Sequence, residues 1–111
     1  MKTPDTIRLT NLGAMDDERL IDAFRAVQTV EDTARLLKDL LTAQELESCV
    51  RRLQVAYLLE IGTPYSQISE TTGMSSRTIS KISKKLTDKR GGYYTALKNA
   101  YPLGINRTLV E

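Results

Sequence analysis

The sequence predicts an all-α fold of about six helices, on three observations. Apolar residues recur at helical spacing along most of the chain. No segment alternates with period two for long enough to make a strand, and β-branched runs are few. Capping signatures stand where the apolar stripes begin. The chain has 111 residues, 41% hydrophobic and 27% charged, which suits one globular domain and excludes disorder throughout. A domain of this size buries roughly 65% of the surface its unfolded chain exposes, so a partner subunit would enlarge the core.

Residues 1–14 show no period, contain Pro4 and Gly13, and are expected to form a flexible arm. Asp16 or Asp17 opens a first helix to about residue 28, with Leu20, Ile21, Phe24 and Val27 as its stripe. Thr29-Val-Glu-Asp32 is a loose capping box, with Asp where Glu or Gln is usual. In the second helix Ala34, Leu37 and Leu41 form one stripe, widened by Leu36 and Leu40. That width predicts burial from two sides. Thr42-Ala-Gln-Glu45 is a full capping box and starts the longest helix, about 43–61. At roughly 1.5 Å per residue it spans about 28 Å. Leu46, Cys49, Val50, Leu53, Ala56 and Tyr57 are its expected inner face, and Gly62 stops it. Thr63 is expected to cap the next helix, with Pro64 at its first helical position, which its fixed φ suits. After Arg90-Gly91-Gly92, a last helix over 93–101 carries Tyr94, Leu97 and Tyr101 on one face. The domain is expected to cover 15–101, with a tail over 102–111.

Composition narrows the chemistry. The chain has no His, one Cys and no Trp. The most versatile general acid–base and the commonest metal ligand are therefore missing, and one Cys makes neither an intrachain disulfide nor a zinc cluster. No nucleophile–base pair or phosphate loop is visible; Gly91-Gly92 lacks the downstream Lys-Ser/Thr and reads as a hinge. The expectation is a protein that is not an enzyme and holds no metal. Cys49 is expected as a small buried hydrophobe, against a reactive thiol as the alternative. No stretch approaches the roughly 20 apolar residues of a membrane span. No signal peptide is visible, so a cytoplasmic protein with no membrane partner is expected.

The net charge of +2 hides a division. From Asp16 to Glu60 there are ten acids and six bases. From Arg77 to Lys98 there are seven bases and one acid, Asp88. Such basic density attracts polyanions, nucleic acid first, although a solvated helix face would look the same by charge alone.

The basic segment follows the most informative pattern in the chain, within residues 64–86. Counting from Tyr65, Ile68 is apolar at the fourth place, Ser69 small at the fifth and Gly73 stands at the ninth. Met74, Ile79 and Ile82 are apolar at the tenth, fifteenth and eighteenth. This is the pattern of a helix-turn-helix, with Gly in the turn and Ser75 capping the second helix. The alternative is a helical hairpin docked for packing only. The outward face, Ser76, Arg77, Ser80, Lys81 and Lys84, is basic and hydroxyl-rich, which suits a nucleic-acid groove. Arg77, Ser80 and Ser76 are expected to face bases. Lys81, Lys84, Lys85, Ser66 and Gln67 are expected to hold phosphates, with Ser75 and Thr78 at the helix start.

Leu41-Thr-Ala-Gln-Glu-Leu-Glu, then Arg51-Arg-Leu-Gln-Val-Ala-Tyr-Leu-Leu-Glu-Ile-Gly62, then the motif ending Thr78-Ile-Ser-Lys-Ile resembles the Trp repressor superfamily, in its YerC/YecD-like branch. The resemblance covers about 16–101. It implies an intertwined helical homodimer that reads a double-stranded DNA operator and regulates transcription, by repression. It also implies an effector pocket, to which Thr42 and Arg52 correspond, with Lys81 in place of a second pocket Arg. Ile82 stands where that pattern has Gly, Lys85 where it has Ser, and the motif is one residue shorter. Lys is a point charge where Arg is a two-point fork, and Ile takes the space beside a ring. The expectation is therefore no cofactor, with tryptophan or another amino acid left open as an effector. An ion pair or a phosphate contact is the other reading of Arg52. The competing function is a helical protein-interaction module, antitoxin-like or regulator-docking, without specific DNA binding.

Overall fold

The computed structural model describes residues 8–100. Residues 1–7 of the expected arm, Tyr101 and the expected tail lie outside the described residues. Six helices follow in order: α1 (Ala14–Ala26), α2 (Val30–Leu40), α3 (Ala43–Glu60), α4 (Tyr65–Thr72), α5 (Ser76–Leu86) and α6 (Gly92–Ala100). No strand occurs among the described residues. The all-α reading holds. The chain divides into two compact units within α3, between Leu46 and Glu47.

In the first unit, α1 begins two to three residues earlier than expected, and Val27 is extended and ends it. The reason is Asp17. Its backbone N–H donates to the Gly13 carbonyl at 3.1 Å, inside the helix ladder. Its carboxylate turns back instead and accepts from the Leu9 amide at 2.9 Å, the Thr10 amide at 3.2 Å and the Thr10 hydroxyl at 2.7 Å. Arg8 stands 3.8 Å away. The Thr10 hydroxyl first, then the Leu9 amide, hold the Asp17 carboxyl below its ordinary value, against the opposing effect of burial. At α2, Thr29 caps as expected, its hydroxyl accepting from the Asp32 amide at 3.0 Å. Asp32 does not reach back to close the box; its carboxylate takes Arg35 at 3.1 Å. The Thr42 box closes in both directions: Thr42 accepts from the Glu45 amide at 3.1 Å, and Glu45 accepts from the Thr42 amide at 2.9 Å. The predicted two-sided burial of α2 is not found among the described residues. Leu36 and Leu37 are half-buried, and Ala34 and Leu40 are exposed.

The second unit carries the core. Val55, Ala56 and Tyr57 of α3 meet Ile68 of α4, Ile79 and Ile82 of α5, and Leu97 of α6. Three consecutive buried residues span about 200° of a helix surface at roughly 100° per residue, so this end of α3 is enclosed from more than one direction. Tyr57 and Ala56 match expectation. Cys49 does not: it is exposed. Val50 is 65% exposed and Leu53 is also exposed. Helical period places these three on a common stripe, and none of the described residues buries it. α3 ends in a Schellman motif. Gly62, at φ 85, donates to Leu59 at 3.0 Å, and Thr63 donates to Leu58 at 3.0 Å.

Candidate nucleic-acid interface

α4 and α5 position the motif. Pro64, not Thr63, is the N-cap of α4, with φ −63 and ψ 148. Its carbonyl accepts from the amides of Gln67 at 3.1 Å and Ile68 at 3.0 Å. No side chain caps this end; the Gln67 amide, which a capping side chain would serve, is satisfied by the Pro64 carbonyl. α4 ends on Gly73 in the left-handed conformation, φ 75 and ψ 7, whose amide donates to Ser69 at 2.8 Å. Ser75 caps α5 as expected, its hydroxyl accepting from the Thr78 amide at 3.2 Å.

The burial of Ile79 and Ile82 sets the orientation of α5. Their opposite face carries Ser76, Arg77, Lys81, Lys84 and Lys85, all exposed. Arg77, Lys81 and Lys84, spaced four and three apart, form one stripe. Ser80 and Thr78 are half-buried at its edge. Ser66 and Gln67 are exposed in the first turn of α4, and Ser75 is exposed at the start of α5. None of the four ion pairs among the described residues engages Arg77, Lys81, Lys84 or Lys85. Their charge is available to a polyanion. Lys84 and Lys85 also complement the negative carboxyl end of α5, which is their structural role in the free protein.

Thr42, Arg52 and Lys81 are the residues expected at an effector pocket. The Thr42 hydroxyl is committed to its cap. Arg52 on α3 and Lys81 on α5 are exposed, and Ile82 is core. Arg52 lies near enough to Tyr93 to act on its hydroxyl: burial pushes the Tyr93 phenol up, Arg52 opposes this, and Cys49 adds to it. An open cavity of about 640 Å³ at the α5–α6 elbow is lined by Lys84, Lys85, Asp88, Gly91, Gly92 and Tyr93, so neither Arg52 nor Lys81 borders it. Among the described residues no group of three or more His, Cys, Asp or Glu is placed to hold a metal, and no helix is long and apolar enough to cross a membrane.

Two hydroxyls escaped the sequence reading. Ser69 was expected only as a small residue, yet its hydroxyl donates to the Met74 carbonyl at 2.8 Å. Thr72 was not singled out. It is buried, donates to the Ile68 carbonyl at 2.7 Å and accepts from the Met74 amide at 3.2 Å. The only signal for it was a hydroxyl residue just before Gly73, where bonding to the carbonyl four residues back is common.

Comparison with known proteins adds an independent line. The family model for Trp repressor protein matches residues 17–101. The chain is similar to the uncharacterized protein YerC of Bacillus subtilis (strain 168), 30% identical over 91 residues, covering 82% of this chain and 88% of that protein. No solved structure matches. A capped α3, a glycine-hinged pair of helices and a family match over nearly the whole described chain agree, and the chain belongs to the Trp repressor family.

Proposed function

We propose that the protein is a sequence-specific DNA-binding transcriptional regulator, a repressor, working in the cytoplasm as a homodimer. The observation that supports it most is the second helix of the motif. Ile79 and Ile82 are locked into the core, while Arg77, Lys81 and Lys84, on the opposite side, make no ion pair among the described residues. A dimer would set two such helices in successive major grooves, about 34 Å apart, on a near-palindromic operator. Arg77, Ser76 and Ser80 read base edges; Lys81, Lys84, Lys85, Ser66 and Gln67 hold phosphates, with Ser75 and Thr78 at the helix start. Repression follows by occlusion of a promoter. No catalytic step, cofactor or metal is part of the proposal.

Selection of bound DNA from a random pool tests it, run with and without an amino-acid mixture. An enriched near-palindrome supports the reading, and enrichment only with the mixture would add an effector. Failure to enrich any sequence, with capture of a protein partner by the same preparation, would favour the interaction-module reading. Salt is the second check. Log affinity should fall linearly with log salt at about −0.9 per phosphate contact, and a flat response would exclude nucleic acid.

A further inference from the structure

We propose that Ser69 and Thr72 are positioning residues that clamp the turn of the motif and hold α5 at the offset from α4 that operator binding needs. The inference rests on the DNA-binding reading above. Only Gly73, Met74 and Ser75 join the two helices. Met74 is the middle one, and α4 holds both sides of it. Its carbonyl accepts from the Ser69 hydroxyl at 2.8 Å, and its amide donates to the Thr72 hydroxyl at 3.2 Å. The Thr72 hydroxyl is anchored in turn by donating to Ile68, one of the most buried residues of the core. The Met74 side chain packs against the same core. Met74 is therefore fixed by its side chain in the core and by both of its backbone groups, and both backbone ties run to α4.

This matters because Ser66 and Gln67 sit on α4 and Arg77, Lys81 and Lys84 on α5. One rigid offset lets both sets reach a duplex together. A turn free to hinge would have to be ordered on binding, at a cost in affinity. The cost should fall harder on the specific complex, where base contacts tolerate little displacement, than on random DNA, where phosphates can be met in many registers.

Thr72 permits a clean separation of hydroxyl from packing. Thr72→Val keeps the shape and loses the hydroxyl; Thr72→Ser keeps the hydroxyl and loses a methyl. Ser69→Ala removes the other tie and stays small. The full chain is titrated with its selected operator and with random duplex, well below the unfolding midpoint, and amide exchange at Met74 is followed by NMR. Ser69→Ala, which loses one hydrogen bond, should weaken operator binding about five- to tenfold, and Thr72→Val, which loses two, at least as much. Random-duplex affinity should change less than twofold. Met74 exchange should quicken in Thr72→Val and return towards wild type in Thr72→Ser, together with operator affinity. Equal losses on both duplexes, or a larger loss from Thr72→Ser than from Thr72→Val, would overturn the clamp and leave a packing role. If the wild-type chain selects no operator, it is the DNA-binding reading that fails; the Met74 exchange rates still report on the clamp itself.

Discussion

Replacing Gly73 tests the turn on which the reading face depends. Gly73 sits at φ 75, and a Cβ added there meets nothing within 4 Å. The cost of a side chain is therefore conformational and not steric. The left-handed conformation costs an L-residue about 1–2 kcal/mol. Alanine also narrows the unfolded ensemble, which returns about 0.4–1 kcal/mol. Gly73→Ala should destabilise by the difference, about 0–1.6 kcal/mol, with a mid-range value of about 0.8 kcal/mol. Gly73→Asn should cost less, because Asn tolerates this conformation by local hydrogen bonding. Thermal unfolding at one fixed protein concentration is the assay, since association would make the midpoint concentration-dependent. Each kcal/mol moves the midpoint of a domain of 60–100 residues by about 4–8 °C, so the alanine variant should melt several degrees below wild type and the asparagine variant between the two. Equal losses from Ala and Asn, or a loss far above about 2 kcal/mol, would refute the reasoning, because a Cβ collision would then be the cause.

Arg77→Ala should cost about 1–3 kcal/mol on the selected operator and relax one of its positions. Lys84→Ala should weaken all duplexes alike and lower the salt slope by about 1; the same pattern from both variants would remove the division of roles between them. Thr42→Ala opens the two-way cap of α3 and should cost about 0.5–2 kcal/mol in chemical denaturation. Asp17 contributes to the pH dependence of stability. Its folded value lies below the ordinary 3.8, so its contribution is present above pH 3.8 and is lost as the pH falls through the lowered folded value. Denaturation midpoints between about pH 5 and pH 2 should fall less steeply in Asp17→Asn than in wild type, and an unchanged profile would mean that the Leu9–Thr10 contacts leave its titration untouched.

What was legible in the sequence was local. The Thr42 box, the Ser75 cap, the Gly73 turn and the inward pair Ile79 and Ile82 each depend on residues within one or two helical turns, and the structure places all of them as read. The departures concern what lies across a face or beyond a boundary. Helical period shows that Cys49, Val50 and Leu53 share a stripe, but not whether this chain covers it. Val55 was missed because the end of α3 is enclosed from more than one direction, and a one-face reading admits only one stripe. Thr63 and Pro64 differ by a single residue, which a cap decides only through which carbonyl accepts the first helical bonds. The Ser69 and Thr72 hydroxyls act through Met74, whose backbone position is fixed by the turn itself.

The exposed stripe has a bearing on assembly. Scattered apolar residues on a surface are ordinary, but here they concentrate. Among the described residues of the first unit, Asp17 is the one buried residue, and no apolar side chain there is buried. Leu12 and Val30 stand 78% and 82% exposed. Helices held to one another chiefly by the hydrophobic effect cannot be stable on half-buried contacts alone, given the conformational entropy that folding must offset. The acid-rich helices before Glu60 also carry both signs of charge, whereas the stretch after Arg77 is almost wholly basic. A second copy apposed through its own acid-rich helices would cover apolar surface with apolar surface. The same apposition through the basic stretch would set like charges together. Charge distribution and exposed apolar surface thus favour assembly of the proposed homodimer through the helices that precede the motif over assembly through the basic stretch.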